Sequence, residues 1–215
     1  DRQAATNVGN GWKEEETPGP KIQLGDRRVK VSGVIRTDGG DDRAGTKFYR
    51  EEDLMKFKSA EASFKVGRND EVCFHLYKGE LPQRNQTDTK KRAKGFEVGL
   101  GVHRGGHVVL YVSTGDRKKP WEEIPLKDAE GKDIQWPADN EFHTVELVRT
   151  DDKKGIFELY LDGVLIPVPG IEELEISQLS QGGKAANIGF LVDGDAGHSV
   201  NTEIEYVRVK RRIGK

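Results

Sequence analysis

The 215 residues carry 35 basic and 37 acidic side chains, a net charge of −2, so no global field draws the chain to nucleic acid or an anionic membrane. Cys73 is the only cysteine, which excludes an intramolecular disulfide and any multi-cysteine metal site. No apolar run approaches the ~20 residues of a membrane span. The mean hydropathy of −0.73 is low, but polar and apolar residues alternate at strand period rather than gathering in tracts, as in a folded chain.

In chain order, residues 1–27 read as an irregular N-terminal arm, with an edge strand near Ile22 and Leu24 and with Trp12 pinning it to the body. Residues 28–215 read as one β-sandwich domain. Residues 29–35 form its first strand, followed by a glycine- and aspartate-rich loop over 36–47. The stretch YREEDLMK at 49–56 suggests one or two helical turns. Residues 58–66 alternate strictly, with Ala60, Ala62, Phe64 and Val66 on one side. A turn at Asn69-Asp70 leads to 71–77, where Val72, Phe74 and Leu76 oppose Cys73, His75 and Tyr77.

After a polar loop, 96–102 places Phe96, Val98, Leu100 and Val102 against Glu97, Gly99 and Gly101. Gly105-Gly106 turns the chain into 107–112. A second long loop, 114–139, holds Trp121 and Trp136. Residues 140–166 announce a hairpin: Val145 and Leu147, then Phe157, Leu159 and Leu161, with TDDKKG between them and Asp162-Gly163 beyond. A short strand over 164–168, a helix or irregular crossover at 171–179, and strands at 186–192 and 203–210 complete the chain. About nine or ten strands with almost no helix imply an all-β fold of two stacked antiparallel sheets.

Taken literally, the alternation puts His75, Tyr77, Glu97, Gly99, Gly101, His103, His107 and Tyr111 together on the face opposite the core. Mid-strand glycines mark places where something approaches the backbone closely. Rings, imidazoles and a carboxylate around a glycine floor suit a sugar, which aromatics stack on and polar groups hydrogen-bond. One wet face of an antiparallel sheet explains the same residues without a ligand. Trp121 and Trp136 are candidate stacking platforms or covers of a small loop core. Asp193 and Asp195, and the 38–42 segment, could lend oxygens to calcium, although Asp-Gly pairs are first of all turn residues. The basic runs at 90–94 and 208–215 read as solvated, and Asn85-Gln86-Thr87 matches a glycosylation acceptor. No phosphate loop, dinucleotide fingerprint or nucleophile elbow occurs. The chain opens at Asp1 with no initiator Met, which suggests a removed signal segment or a trimmed start and favours a secreted or periplasmic location.

Leu159-Tyr160-Leu161-Asp162-Gly163 and the closing Ile204-Glu205-Tyr206-Val207-Arg208-Val209 resemble the concanavalin A-like lectin/glucanase superfamily. There a Leu-Tyr-x-Asp-Gly hairpin and a final Ile-Asp-x-Val-x-Val strand recur. The resemblance covers roughly residues 28–212 and implies a jelly roll whose concave face, or the loops beside it, handles carbohydrate. The Glu-x-Asp-x-x-Glu strand of the retaining glucanases is missing here, as are the alginate-lyase signatures, and only Gly11-Trp12 echoes the Phe-Asp-Gly opening of related sugar hydrolases.

Three functions follow from this reading. The first is a monomeric carbohydrate-binding, glycan-handling jelly roll. The second is a glycoside hydrolase or polysaccharide lyase with Glu97 and His75, His103 or His107 as acid and base. The third is a laminin-G-like module that binds protein through its loops.

Overall fold

The computed structural model describes residues 12–16, 21–25, 28–34, 46–78, 96–113, 121–151, 155–176, 185–194 and 197–212. The strands are β1 (Trp12–Glu16), β2 (Lys21–Gly25), β3 (Arg28–Val34), β4 (Thr46–Asp53), β5 (Phe57–Lys65), β6 (Glu71–Lys78), β7 (Phe96–Val102) and β8 (Val108–Ser113). They continue with β9 (Trp121–Pro125), β10 (His143–Asp151), β11 (Ile156–Leu161), β12 (Val164–Ile166), β13 (Leu174–Glu175), β14 (Ala185–Asp193) and β15 (Ser199–Arg211). One antiparallel sheet runs β1-β4-β14-β6-β7-β8-β9 and the other β12-β11-β10-β5-β15-β3-β2, with β13 paired to β11. Neighbours distant in sequence, such as β14 between β4 and β6, make this a jelly-roll sandwich and not a simple meander.

The core between the sheets is aromatic at its centre. Phe64 of β5 meets Phe190 of β14 edge-on at 5.2 Å, and Phe190 in turn touches Phe74 at 4.9 Å and Phe48 at 5.1 Å. Such ring geometries add to the area already buried. The inward residues of β6, β7 and β8 are the apolar ones that the alternation singles out: Val72, Phe74, Leu76, Val98, Leu100, Val108 and Leu110.

Three stretches differ in part from the expectations. The 49–56 stretch is no helix: through Asp53 it belongs to β4, paired to β1 on one side and β14 on the other. Hydrogen bonding on both edges overrides local helix preference, and the inward Glu52 is held by Arg50 at 2.6 Å and Arg211 at 2.7 Å. The arm supplies β1 to one sheet and β2 to the other, and Trp12 lies 5.4 Å from Phe48. Of the 171–179 crossover, the described residues 171–176 carry the two-residue β13 paired to β11 and no helix, the irregular one of the two expected forms.

The Leu-Tyr-x-Asp-Gly turn has a physical account. Asp162 sits at φ 50° and Gly163 at φ 77°, which keeps the turn tight. The Asp162 carboxylate accepts hydrogen bonds from the Thr144 amide at 2.8 Å and His143 Nδ1 at 2.7 Å, closing the start of β10. His143 Nε2 also meets Asp139 at 3.0 Å. Burial lowers the His143 pKa, but its hydrogen bonds to Asp139 and Asp162 outweigh that and leave it above its ordinary 6.5.

A second clasp ties the sheets together. Asp70, between β5 and β6, accepts from the Asn201 amide at 2.9 Å and the Thr202 hydroxyl at 2.6 Å on β15, and from the Gly67 amide at 3.1 Å. Burial raises its pKa despite those three hydrogen bonds.

Asp70→Ala would leave the buried Thr202 hydroxyl and the Asn201 amide of β15, and the Gly67 amide of the β5–β6 turn, without their acceptor, and urea unfolding should show a loss of about 2–4 kcal/mol. The imidazolium of His143 stabilises the fold fully below its unfolded pKa near 6.5, and that contribution is lost as pH rises through the raised folded value. Melting temperature measured against pH should fall across that window in the parent chain, and the component should vanish in His143→Gln.

Candidate functional site

Cross-strand register brings the predicted residues together on the reverse face of the seven-stranded sheet. His75 pairs with Gly99, which pairs with Tyr111, which pairs with Glu123; in the adjoining rows Tyr77 pairs with Glu97 and Cys73 with Gly101. Cys73, Val109 and Tyr111 form a small buried cluster of their own there. The face is not an open trough: His75, Glu97, Tyr77 and Tyr111 are 1%, 6%, 5% and 4% exposed. All of β7 and all but the last residue of β6 are buried on both faces.

The two glycines are explained by the protein itself. A Cβ on Gly99 would stand 2.3 Å from the His75 Cβ, and one on Gly101 would stand 2.2 Å from the Tyr111 ring. Gly101 therefore leaves bare backbone against the Tyr111 ring, and Gly99 leaves room for the Cβ and backbone of His75. The close approach that mid-strand glycine signals comes from His75 and Tyr111, which corrects the expectation of a glycine floor left bare for a ligand.

Polar side chains on this face pair with one another, although His75 Nε2 has no hydrogen-bond partner among the described residues. His75 Nδ1 lies 2.6 Å from Glu97 Oε1 and 3.4 Å from Cys73 Sγ. With the proton on Nδ1, the imidazole donates to the carboxylate, which offsets the cost of burying it. Toward the edge, His103 Nε2 lies 2.7 Å from the Tyr111 hydroxyl and 3.1 Å from Glu123 Oε1. This second group is partly open, with the His103 and Glu123 side chains 23% and 32% exposed.

The remaining candidates separate. His107 is exposed and is held by the Gln135 amide at 3.0 Å rather than by the buried cluster. Trp136 belongs to the core, stacked on Phe64 at 4.7 Å, so it is a wall and not a free platform. Trp121 opens β9, and its side chain lies outside the described ones, as do Asp195, Asn85 and the 38–42 and 90–94 segments. Asp193 is buried at the end of β14. Among the described residues, the group of three donors close enough to hold a metal is Cys73, His75 and Glu97; the calcium pair of Asp193 with Asp195 lies partly outside those residues.

A solvent cleft of about 770 Å³ opens where the turns at one end of the sandwich meet. Arg68, Asn69, His103, Asn140, Ser199 and Asn201 line it, with Val66, Val102, Trp136 and Pro137 as apolar wall. Its carboxylate, Asp70, is already committed to the clasp between the sheets. Amides and a hydroxyl both donate and accept, which is what vicinal sugar hydroxyls require. His103 belongs to the cleft and to the His103–Tyr111–Glu123 group at once, so the two are continuous.

Of the described residues predicted from sequence, His103 and Trp136 reach the cleft. Asn69 and Asn140 were missed because turn chemistry explains each of them locally, and Ser199 and Asn201, at the start of β15, because nothing in their flanking sequence marks them. The one usable signal was the density of Asn and Asp at turns that a sandwich gathers at one end.

The ring-over-glycine interlock predicts that Gly101→Ala lowers stability by about 1–3 kcal/mol. The same substitution in a Tyr111→Ala background should cost much less, and a double-mutant cycle in urea measures the difference.

No protein-family model matches the chain, and no curated protein matches it in sequence. Among solved structures 107 chains match. The carbohydrate recognition domain of Emp47p superposes with a TM-score of 0.58 at 13% identity, covering 97% of this chain and 93% of that one. The β-glucanase of Bacillus licheniformis gives 0.54 at 12% identity, with 97% and 96% covered. The Crh5 transglycosylase in complex with NAG gives 0.56 at 14% identity, with 98% and 83% covered. Likeness over nearly the whole of each chain, together with the two crossed-over antiparallel sheets, identifies the architecture as a concanavalin A-like jelly roll.

Proposed function

We propose that this chain binds carbohydrate in the cleft at the turn end of the sandwich, with His103 joining the bound glycan to Tyr111 and Glu123. The observation that carries the reading is the cleft itself: about 770 Å³ of solvent space with amide, hydroxyl, imidazole and guanidinium groups around an apolar wall. That volume falls within the roughly 300–1,000 Å³ of ligand pockets. The fold supports the same reading, since its neighbours include a carbohydrate recognition domain and glycan-processing enzymes. Arg68, exposed at the mouth, suits a neutral or acidic glycan better than a cationic ligand.

A glycan-processing variant of this reading rests on the contact of His103 with Glu123 at 3.1 Å. An imidazole and a carboxylate side by side can pass a proton to a departing sugar oxygen. Glu97 and His75 are the weaker acid–base candidates, because they are buried away from the cleft.

Binding to a glycan array followed by calorimetry tests the proposal. Asn140→Gly keeps the positive φ of that residue while removing its amide, and Asn201→Ala removes a second amide. Each should weaken binding by about 3–10-fold, the worth of one net hydrogen bond. Glu97→Gln should leave binding intact. Glycan binding that is absent from the parent chain, or unchanged in both cleft variants, would refute it. Release of new sugar ends that Glu123→Gln abolishes would assign catalysis.

A further inference from the structure

Cys73, His75 and Glu97 make a second constellation, set apart from the cleft. Cys73 and His75 are two residues apart on β6 and so point the same way, while Glu97 of β7 lies opposite Tyr77 and diagonal to His75. Sγ is 3.4 Å from Nδ1 and Nδ1 is 2.6 Å from Oε1, and the three donor atoms all lie within 4.8 Å of one another. We infer that this trio is a structural binding site for a divalent transition metal of the zinc class.

The geometry is near what such an ion needs. Zinc bonds of about 2.0–2.3 Å put the corners of a tetrahedron roughly 3.3–3.8 Å apart. The sulfur–nitrogen pair already satisfies that, and the nitrogen–oxygen pair has to open by less than about 1 Å. A thiolate beside an imidazole selects zinc or cobalt over calcium and magnesium, which take oxygen ligands. Charge favours the same answer. A thiolate and a carboxylate together balance a divalent cation, giving a neutral centre where an isolated charge would be costly.

Protons balance as well. Metal binding expels the thiol proton to solvent and moves the imidazole proton from Nδ1 to Nε2. Nε2 is buried without a hydrogen-bond partner among the described residues. A zinc-bound histidine ordinarily donates through its other nitrogen, so this site holds its ion less tightly than one with a complete outer shell. Three protein donors leave one position of the tetrahedron for a further ligand. Burial makes the site a staple between β6 and β7 rather than a hydrolytic centre.

Cobalt is the spectroscopic probe, loaded by refolding the full chain with Co²⁺ because the trio is buried. The expected result is a thiolate-to-cobalt charge-transfer band with tetrahedral visible bands, both removed by Zn²⁺. Cys73→Ser, nearly isosteric, should lose the charge-transfer band, and Zn²⁺ should raise the melting temperature of the parent chain but not of this variant. Protein purified from zinc-supplemented culture supplies a readout that needs no refolding: stoichiometric zinc in the parent and little in Cys73→Ser or His75→Ala. Parent chain without zinc or cobalt signal, or a signal that Cys73→Ser retains, would overturn the inference. Asn140→Gly and Asn201→Ala should bind metal like the parent, so failure here and failure of the glycan reading are distinguishable.

Discussion

The contact between Phe64 and Phe190 across the sandwich is the constraint from which the rest of the molecule follows. It joins β5 of one sheet to β14 of the other and decides which side of each strand is the inside. Once Phe190 points inward, register with β6 places Phe74 inward too, and the same parity runs on through Leu100 and Leu110. A slip of one residue in any of these pairings would exchange the two faces. Cys73, His75 and Glu97 are therefore neighbours because phenylalanines on the opposite side of the same strands must meet.

Both faces of β6 and β7 are buried, which is unusual for a strand whose reverse side carries an imidazole and a carboxylate. The structure accommodates them by pairing. Glu97 accepts from His75, and His103 joins Tyr111 and Glu123. Gly99 and Gly101 make room for the rings that do this. Polar groups that look like a binding surface in one dimension thus form a mutually paired inner layer, and the accessible chemistry moves to the end of the sandwich. There Asp70 holds β15 to the β5–β6 turn, and that clasp forms one wall of the cleft.

Legibility in the sequence followed the range of the interactions involved. The alternation in 58–66, 71–77 and 96–102 marked real strands, and their inward residues are the core of the structure. Asp162-Gly163 marked a turn, because positive φ is a local demand that few residues meet. Parity also foretold that His75, Tyr77, Glu97 and Tyr111 share a face. The stretch YREEDLMK misled, since its helical composition says nothing of the partners that flank β4. Trp136 was ambiguous in a different way: a tryptophan in a polar loop fits a platform or a core cover equally, and only the stacking on Phe64 decides for the core.

What the sequence determined by itself was the class of fold and the side of each strand, because side-chain period and turn chemistry are properties of a few adjacent residues. The tertiary structure alone decided whether the reverse face was open or covered, and which distant turns would meet. Asn69, Asn140 and Asn201 come together only when two sheets close on each other. No local preference of any one of them encodes that meeting, because closure is set by packing summed over the whole core.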